Sequence, residues 1–253
     1  MNKIKRIRAF FPSIVKIFPV FAVLTILSCS GSKPGKPPEQ PSSPISHPKP
    51  QPQPQPSSSS IIGSTFKDAR DGKNYRLVKI GTQTWMAENL NYAASDSKCG
   101  GDDGKLKDEN TANCDKYGRL YNWATAMKAC PSSWHIPSNA EWDKLMRYVD
   151  GDSGTSSPYS SLTAGKSLKA AGGWNEYNKS SGSGTDAYKF TALPGGSYSG
   201  GSFSGIGNYG YWWSASEKST NYAYGRLITY SYDKASWGYG NKRFLFSVRC
   251  LKD

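Results

Sequence analysis

The chain has 253 residues, with Lys+Arg 32 against Asp+Glu 19 and a formal net charge of +13. Five of those cations, Lys3, Lys5, Arg6, Arg8 and Lys16, precede an apolar run from Ile17 to Leu27, so the rest of the chain is only mildly basic. Without a clustered Lys/Arg run, the composition argues against nucleic acid as a partner, and export, read next, argues further against it.

The basic stretch followed by a short apolar one has the layout of a secretory signal peptide and is too short for a good membrane span. It ends in Ile26-Leu27-Ser28-Cys29, similar to the bacterial lipobox, in which cleavage precedes a cysteine that is then lipidated. Residues 1–28 are therefore expected to be a lipoprotein signal peptide. Cys29 is the expected lipidation site, holding the chain on the lipid bilayer of a bacterial cell envelope with its domain in the periplasm or on the cell surface. An ordinary secretory signal with an incidental cysteine is the alternative. Residues 29–62 read as a tether: ten of the 16 prolines lie between 30 and 60, followed by a run of serines. Such a segment has nothing to bury and is expected to be disordered, extended polyproline II, at about 3.1 Å per residue.

The globular domain is placed at 63–253. Phe66 to Ala69 and Tyr75 to Ile80 read as strands joined at Arg70-Asp71-Gly72-Lys73, where Asp-Gly is a hairpin signal. A further turn leads to Thr84-Trp85-Met86. Residues 95–116 are polar and glycine-rich and read as a surface loop between Cys99 and Cys114. Leu120, Trp123, Ala124 and Met127 then fall on one helical face before Pro131 stops that helix. Trp134-His135-Ile136 is an extended link, because the residue before Pro137 avoids the helical region. Ser138 and Glu141 have capping-box spacing, and Trp142, Leu145, Met146 and Val149 follow at i, i+3, i+4 and i+7. Asp150 to Ser161 is loop, Gly165 to Ala171 a short helix or turn, and Thr229 to Lys234 a turn between strands.

From Phe190 onward aromatic residues alternate with glycine and serine. Tyr222 to Leu227 and Phe244 to Cys250 read as strands. The pattern suits a small antiparallel sheet with aromatic cross-strand pairs. A sharper reading leaves some rings exposed as a carbohydrate-stacking platform, drawn from Tyr209, Tyr211, Trp212, Trp213, Trp237 and Tyr239. With Cys29 lipidated, four of the five cysteines remain, an even number suited to an oxidising compartment. Three connectivities are open. The preferred one joins Cys99 to Cys114 across the polar insertion and Cys130 to Cys250 across most of the domain. A metal site is the alternative, with no C-x-x-C pair or neighbouring histidine to support it.

Residues DGKNYRLVKIGTQTWMAENLNY, YGRLYNWATAMKACPSSWHIPSNAEWDKL, YWWSASE and FSVRC occur in the same order in the Fibrobacter succinogenes major paralogous domain, which this chain resembles from about residue 65 to 252. That resemblance implies an exported bacterial protein, often a lipoprotein, with no defined biochemical role. The WHIPS segment between two helices also resembles the formylglycine-generating-enzyme type of C-type-lectin-like fold, and FSVRC the end of a C-type lectin's long-range disulfide. The expected class is therefore α+β: small antiparallel sheets with two packed helices in a C-type-lectin-like domain. Formylglycine generation needs a reactive cysteine pair, and the Glu-Pro-Asn and Trp-Asn-Asp motifs of calcium-dependent lectins do not occur.

No catalytic constellation stands out: G-x-S-x-G, H-E-x-x-H and the phosphate-binding G-x-x-x-x-G-K-[ST] do not occur. His47 is in the tether. His135 reads as a contact between helices rather than a base. Glu141 and Asp143 point differently on their helix and cannot work as a pair. Asp150-Gly151-Asp152 and Asp102-Asp103-Gly104 do not complete a calcium loop, and Arg226 and Arg249 suit buried carbonyls or carboxylates. No metal or cofactor is expected. The expected function is non-catalytic, with a polysaccharide or a surface protein as partner. An enzyme related to the formylglycine-generating proteins is the alternative.

Overall fold

The structure, a computed structural model, describes residues 64–101, 111–151 and 160–253. The leader, Cys29, the tether with His47, the start of the domain at 63, the acidic triplet Asp102-Asp103-Gly104 and Asp152 lie outside the described residues.

The elements run β1 (Thr65–Lys67), β2 (Asn74–Ile80), β3 (Gln83–Met86), β4 (Lys98–Cys99), α1 (Thr111–Tyr117), β5 (Arg119–Tyr121), α2 (Trp123–Ala129), β6 (Trp134–His135) and α3 (Asn139–Val149). They continue with β7 (Ser160–Ser161), α4 (Ala164–Leu168), β8 (Glu176–Tyr177), β9 (Ser180–Ser181), β10 (Gly195–Ser199), β11 (Ser202–Ile206), β12 (Tyr209–Ser219), β13 (Tyr222–Thr229), β14 (Ala235–Asn241), β15 (Phe246–Ser247) and β16 (Leu251–Lys252). Among the described residues, one sheet has the order β1-β2-β3-β16-β6. A larger one runs β4-β5-β15-β12-β13-β14-β7, with the β10–β11 hairpin joined to β12, and β8–β9 stands as a small ribbon. Pairing between these strands is antiparallel except where Gly196 meets Gly210 and Trp212 meets Ser247. The domain is thus a mixed α and β structure with mostly antiparallel sheets and few helices. Among the described residues no helix is long and apolar enough to cross a membrane.

Local chemistry accounts for the best-formed elements. The first hairpin turns at Gly72, whose φ of 74° is easy only for glycine. Helix α3 starts at a complete capping box between Ser138 and Glu141, and Trp142, Leu145, Met146 and Val149 are all buried. Each such side chain contributes about 1.5–3 kcal/mol of burial.

The first helix differs from expectation. Asn122 caps α2 by accepting from the Thr125 N–H, so the helix begins after Tyr121 and Leu120 belongs to β5, opposite Ser247. The buried positions of α2 are Ala126 and Ala129, while Met127 is exposed. Nor do α2 and α3 share one apolar seam. Trp212 and Trp213 are consecutive on β12 and point to opposite faces of the sheet. Trp212 packs in one cluster with Trp142 and Leu145 of α3, whereas Trp213 packs in the other with Ala126 and Ala129 of α2.

Two further segments depart from the reading. Residues 111–117 of the expected loop are helical, and α1 closes at Gly118 with a φ of 76° and its N–H on the Cys114 carbonyl. A Cβ there would stand 2.7 Å from that of Asn89, so only glycine lets this turn approach. Of the expected strand Phe244–Cys250 only Phe246–Ser247 is strand; the carbonyls of Val248 and Cys250 then accept from Leu90 and Met86, and Arg249 turns inward between them.

Arg249 is 0 % exposed, and its contacts explain that turn. Nε and NH2 donate to Asn89 Oδ1 at 3.1 and 2.7 Å. NH2 also donates to the Thr191 carbonyl at 3.3 Å, and NH1 donates to the carbonyls of Met86 (3.2 Å) and Phe190. The guanidinium lies 4.3 Å from the Phe190 ring centroid. Burial pushes its pKa down to about 9, which leaves it charged at neutral pH. Asn89 Oδ1 accepts a third bond, from Trp212 Nε1 at 2.7 Å, and its amide donates to the Tyr117 carbonyl. One buried amide thus ties β12, α1 and the chain's closing segment together.

Two disulfides are present. Cys99–Cys114 spans 15 residues and Cys130–Cys250 spans 120.

Candidate functional site

The aromatic residues of β12, β13 and β14 are sorted by the pleat. In register, Trp212 opposes Arg226, which opposes Trp237, and Tyr224 opposes Tyr239. These side chains share the face that α3 partly covers. The opposite face carries Tyr211 and Trp213, with Phe246 against both at 5.0 and 4.3 Å. Glycine keeps that side thin: a Cβ at Gly240 would meet the Phe246 ring at 3.0 Å.

The rings expected to form one platform therefore divide into three groups. Trp212 and Trp213 are 1 % and 0 % exposed, with indole N–H groups donating to Asn89 Oδ1 and the Tyr121 carbonyl. They are core residues and cannot stack on a ligand, which corrects their assignment. Tyr211 lies against Phe246, and burial pushes its hydroxyl pKa up to about 12; Tyr209 neighbours it at 5.9 Å, on the Trp213 side. Trp237 and Tyr239 lie on the α3 side.

There they join two residues absent from the expected set. Tyr222 meets Tyr239 edge-on at 5.8 Å, and Tyr224 meets Trp237 edge-on at 5.3 Å. Tyr222 and Tyr239 are 41 % and 42 % exposed, while Tyr224 and Trp237 are half-buried. The alternation in Tyr222-Ala223-Tyr224 and Trp237-Gly238-Tyr239 could have shown both pairs, once the two strands were set antiparallel. Lys218 places Nζ 4.3 Å from the Tyr239 centroid and 5.7 Å from that of Tyr224. The neighbouring Glu217 is engaged by Lys242, which itself lies over Trp123 at 4.4 Å.

Toward α3 this face ends in an ion pair. Arg226, 4 % exposed, donates to Asp143 Oδ1 at 2.7 Å and to both oxygens of Asn139 at 3.1 Å. Burial lowers the Arg226 pKa despite the attraction of Asp143. Beyond it, a recess of about 490 Å³ runs along the outer side of α3, lined among the described residues by Ala140, Asp143, Lys144, Arg147 and Tyr148.

Elsewhere the polar residues have structural work. Asp150 accepts from the hydroxyls of Ser161 and Thr163 at 2.7 Å. Among the described residues no cluster of His, Cys, Asp or Glu could hold a metal ion. His135, on β6, makes a structural contact with one helix, α3, and with the chain beyond β16. Its Nε2 meets Glu141 at 2.9 Å and its Nδ1 meets Asp253 at 2.6 Å. Burial alone would lower the imidazole pKa, but hydrogen bonds to Asp253 and Glu141 outweigh it and raise the value. Burial likewise opposes the shift of Glu141, which its bonds from Ser138 and His135 nevertheless lower.

The raised histidine contributes stability that is full below its unfolded pKa and lost as pH rises through the folded one. The depressed glutamate contributes stability that is full above its unfolded pKa and lost as pH falls through the folded one. The pair is at full strength between the ordinary carboxylate and imidazole values. Both groups are partly exposed, so the effect is modest. An NMR titration should place His135 above the ordinary imidazole range, and Asp253→Asn should bring it down; an unshifted His135 would contradict the bridge.

A protein-family profile described as Fibrobacter succinogenes major domain matches residues 78–252, well over half the chain. No curated protein and no solved structure matches.

Proposed function

The chain belongs to the Fibrobacter succinogenes major domain family, and from that premise we propose a non-catalytic lipoprotein of the cell envelope that binds polysaccharide. In this reading Cys29 carries the lipid, residues 29–62 are the tether, and the domain is C-type-lectin-like. The face that binds is the ladder of Tyr222, Tyr224, Trp237 and Tyr239. The observation that carries the reading is the exposure of Tyr222 and Tyr239 at the rim of a cross-strand aromatic cluster. Exposed rings held by a rigid sheet stack on the apolar faces of sugars with little loss of side-chain freedom. A non-catalytic role is favoured over formylglycine-type chemistry because Cys130 and Cys250 are joined to each other, leaving no reactive thiol pair there.

Affinity electrophoresis against cellulose, hemicelluloses and mucins tests this. The protein should be retarded by at least one polymer, and Tyr222→Ala with Tyr239→Ala should abolish most of the retardation. Free migration through every gel would remove polysaccharide binding from the proposal.

A further inference from the structure

The aromatic ladder does not end at the tyrosines. Arg226 is the cross-strand neighbour of Trp237, and it holds Asp143, which lines the recess along α3. Ladder and recess therefore form one strip. From Tyr222 to Arg226 along β13, and then one turn along α3, it spans roughly 20 Å. That length accommodates several sugar units in line.

The charges along the strip that have no ion pair among the described residues are of one sign. Lys218 sits over the ladder at one end, and Lys144 and Arg147 line the recess at the other. None of these three has an ion-pair partner among the described residues. The nearby carboxylates are already engaged: Glu217 by Lys242 and Asp143 by Arg226. A neutral polymer would use the rings and leave these cations idle. A polymer with carboxylates on its repeating units would use both.

Resting on the polysaccharide reading above, we infer that the ligand is an acidic, uronate-type polysaccharide. Its sugar faces stack on Tyr222 and Tyr239 while its carboxylates meet Lys218 at one end of the strip and Lys144 and Arg147 at the other. Exposed charge pairs of this kind are screened by salt, so binding should weaken as ionic strength rises, whereas stacking should not.

The test pairs acidic polymers with neutral counterparts on the same backbone: polygalacturonate against its methyl ester, and carboxymethylcellulose against hydroxyethylcellulose. The acidic member of a pair should bind about tenfold tighter or more at low salt. Lys218→Gln with Lys144→Gln and Arg147→Gln should erase that preference and leave binding to the neutral member. Tyr239→Ala should weaken both members. Equal affinity for acidic and neutral members would overturn the inference and leave the polysaccharide reading standing. Acidic binding that survives Tyr239→Ala would reduce it to ion exchange by a basic protein. Absence of binding to all four polymers and to the wider panel would take down both.

Discussion

Replacing Arg249 by methionine should destabilise the domain by about 3–5 kcal/mol. The five N–H donors of a guanidinium all find acceptors here, and each acceptor in contact is a neutral carbonyl or amide oxygen. A buried carboxylate partner could be removed together with its arginine, and hydrophobic replacement of such pairs is often harmless. Main-chain carbonyls cannot be removed. With methionine at 249, the carbonyls of Met86 and Phe190 stay buried without their donor, at about 1–3 kcal/mol for each unsatisfied group, and the part-buried Thr191 carbonyl loses its bond as well. Relief from burying a charge offsets part of this. Since small domains have only about 5–15 kcal/mol in total, the variant should unfold at much lower urea or express poorly. Asn89→Ala should act through the same network, stranding Arg249 donors and the Trp212 indole together, so the double variant should fall well short of the sum. A stability loss under about 1 kcal/mol for Arg249→Met would show that the network is incidental.

Removing the long disulfide is the second large effect. Cys130–Cys250 closes a span of 120 residues, so its loss should cost about 4–5 kcal/mol through the freedom regained by the unfolded chain. Cys99–Cys114 closes 15 residues and should be worth about 3 kcal/mol. The paired alanine substitutions, compared by urea unfolding without reductant, should preserve that order. A larger loss from the short bridge than from the long one would contradict it. The long bridge also supports the aromatic face indirectly: Cys250 adjoins Arg249, whose partner Asn89 holds the Trp212 indole at the root of that face.

What could be read in the sequence was local or combinatorial. The capping box and apolar stripe of α3 depend on spacings between Ser138 and Val149, and both are present. Of three cysteine connectivities, the preferred one is the one the structure contains. The errors arose where tertiary pairing overrides local pattern. Leu120 fits a helical stripe, but its backbone pairs with Ser247, far along the chain. The aromatic platform was misread for the same reason. In Tyr211-Trp212-Trp213 consecutive rings alternate between faces, and both faces of β12 are covered, so neither tryptophan reaches solvent. On the α3 side of this sheet, Tyr222 and Tyr239 meet solvent near the β13–β14 rim, beyond the Arg226–Asp143 pair. Arg249 reads from the sequence as a partner for buried carbonyls, and it is one; its bond to Asn89 does not show there, because residues 160 apart declare a hydrogen bond only in the fold.

Hydroxyl-radical footprinting, with and without the polymer that retards the protein most, tests the binding face most directly. The free protein should be labelled at Tyr222 and Tyr239, and also at Tyr177 and Tyr232, which are 40 % and 61 % exposed away from the ladder. Bound polymer should protect Tyr222, Tyr239 and the half-buried Tyr224 and Trp237 while leaving Tyr177 and Tyr232 labelled as before. Protection at Tyr177 and Tyr232 with the ladder unchanged would contradict the assignment of this face.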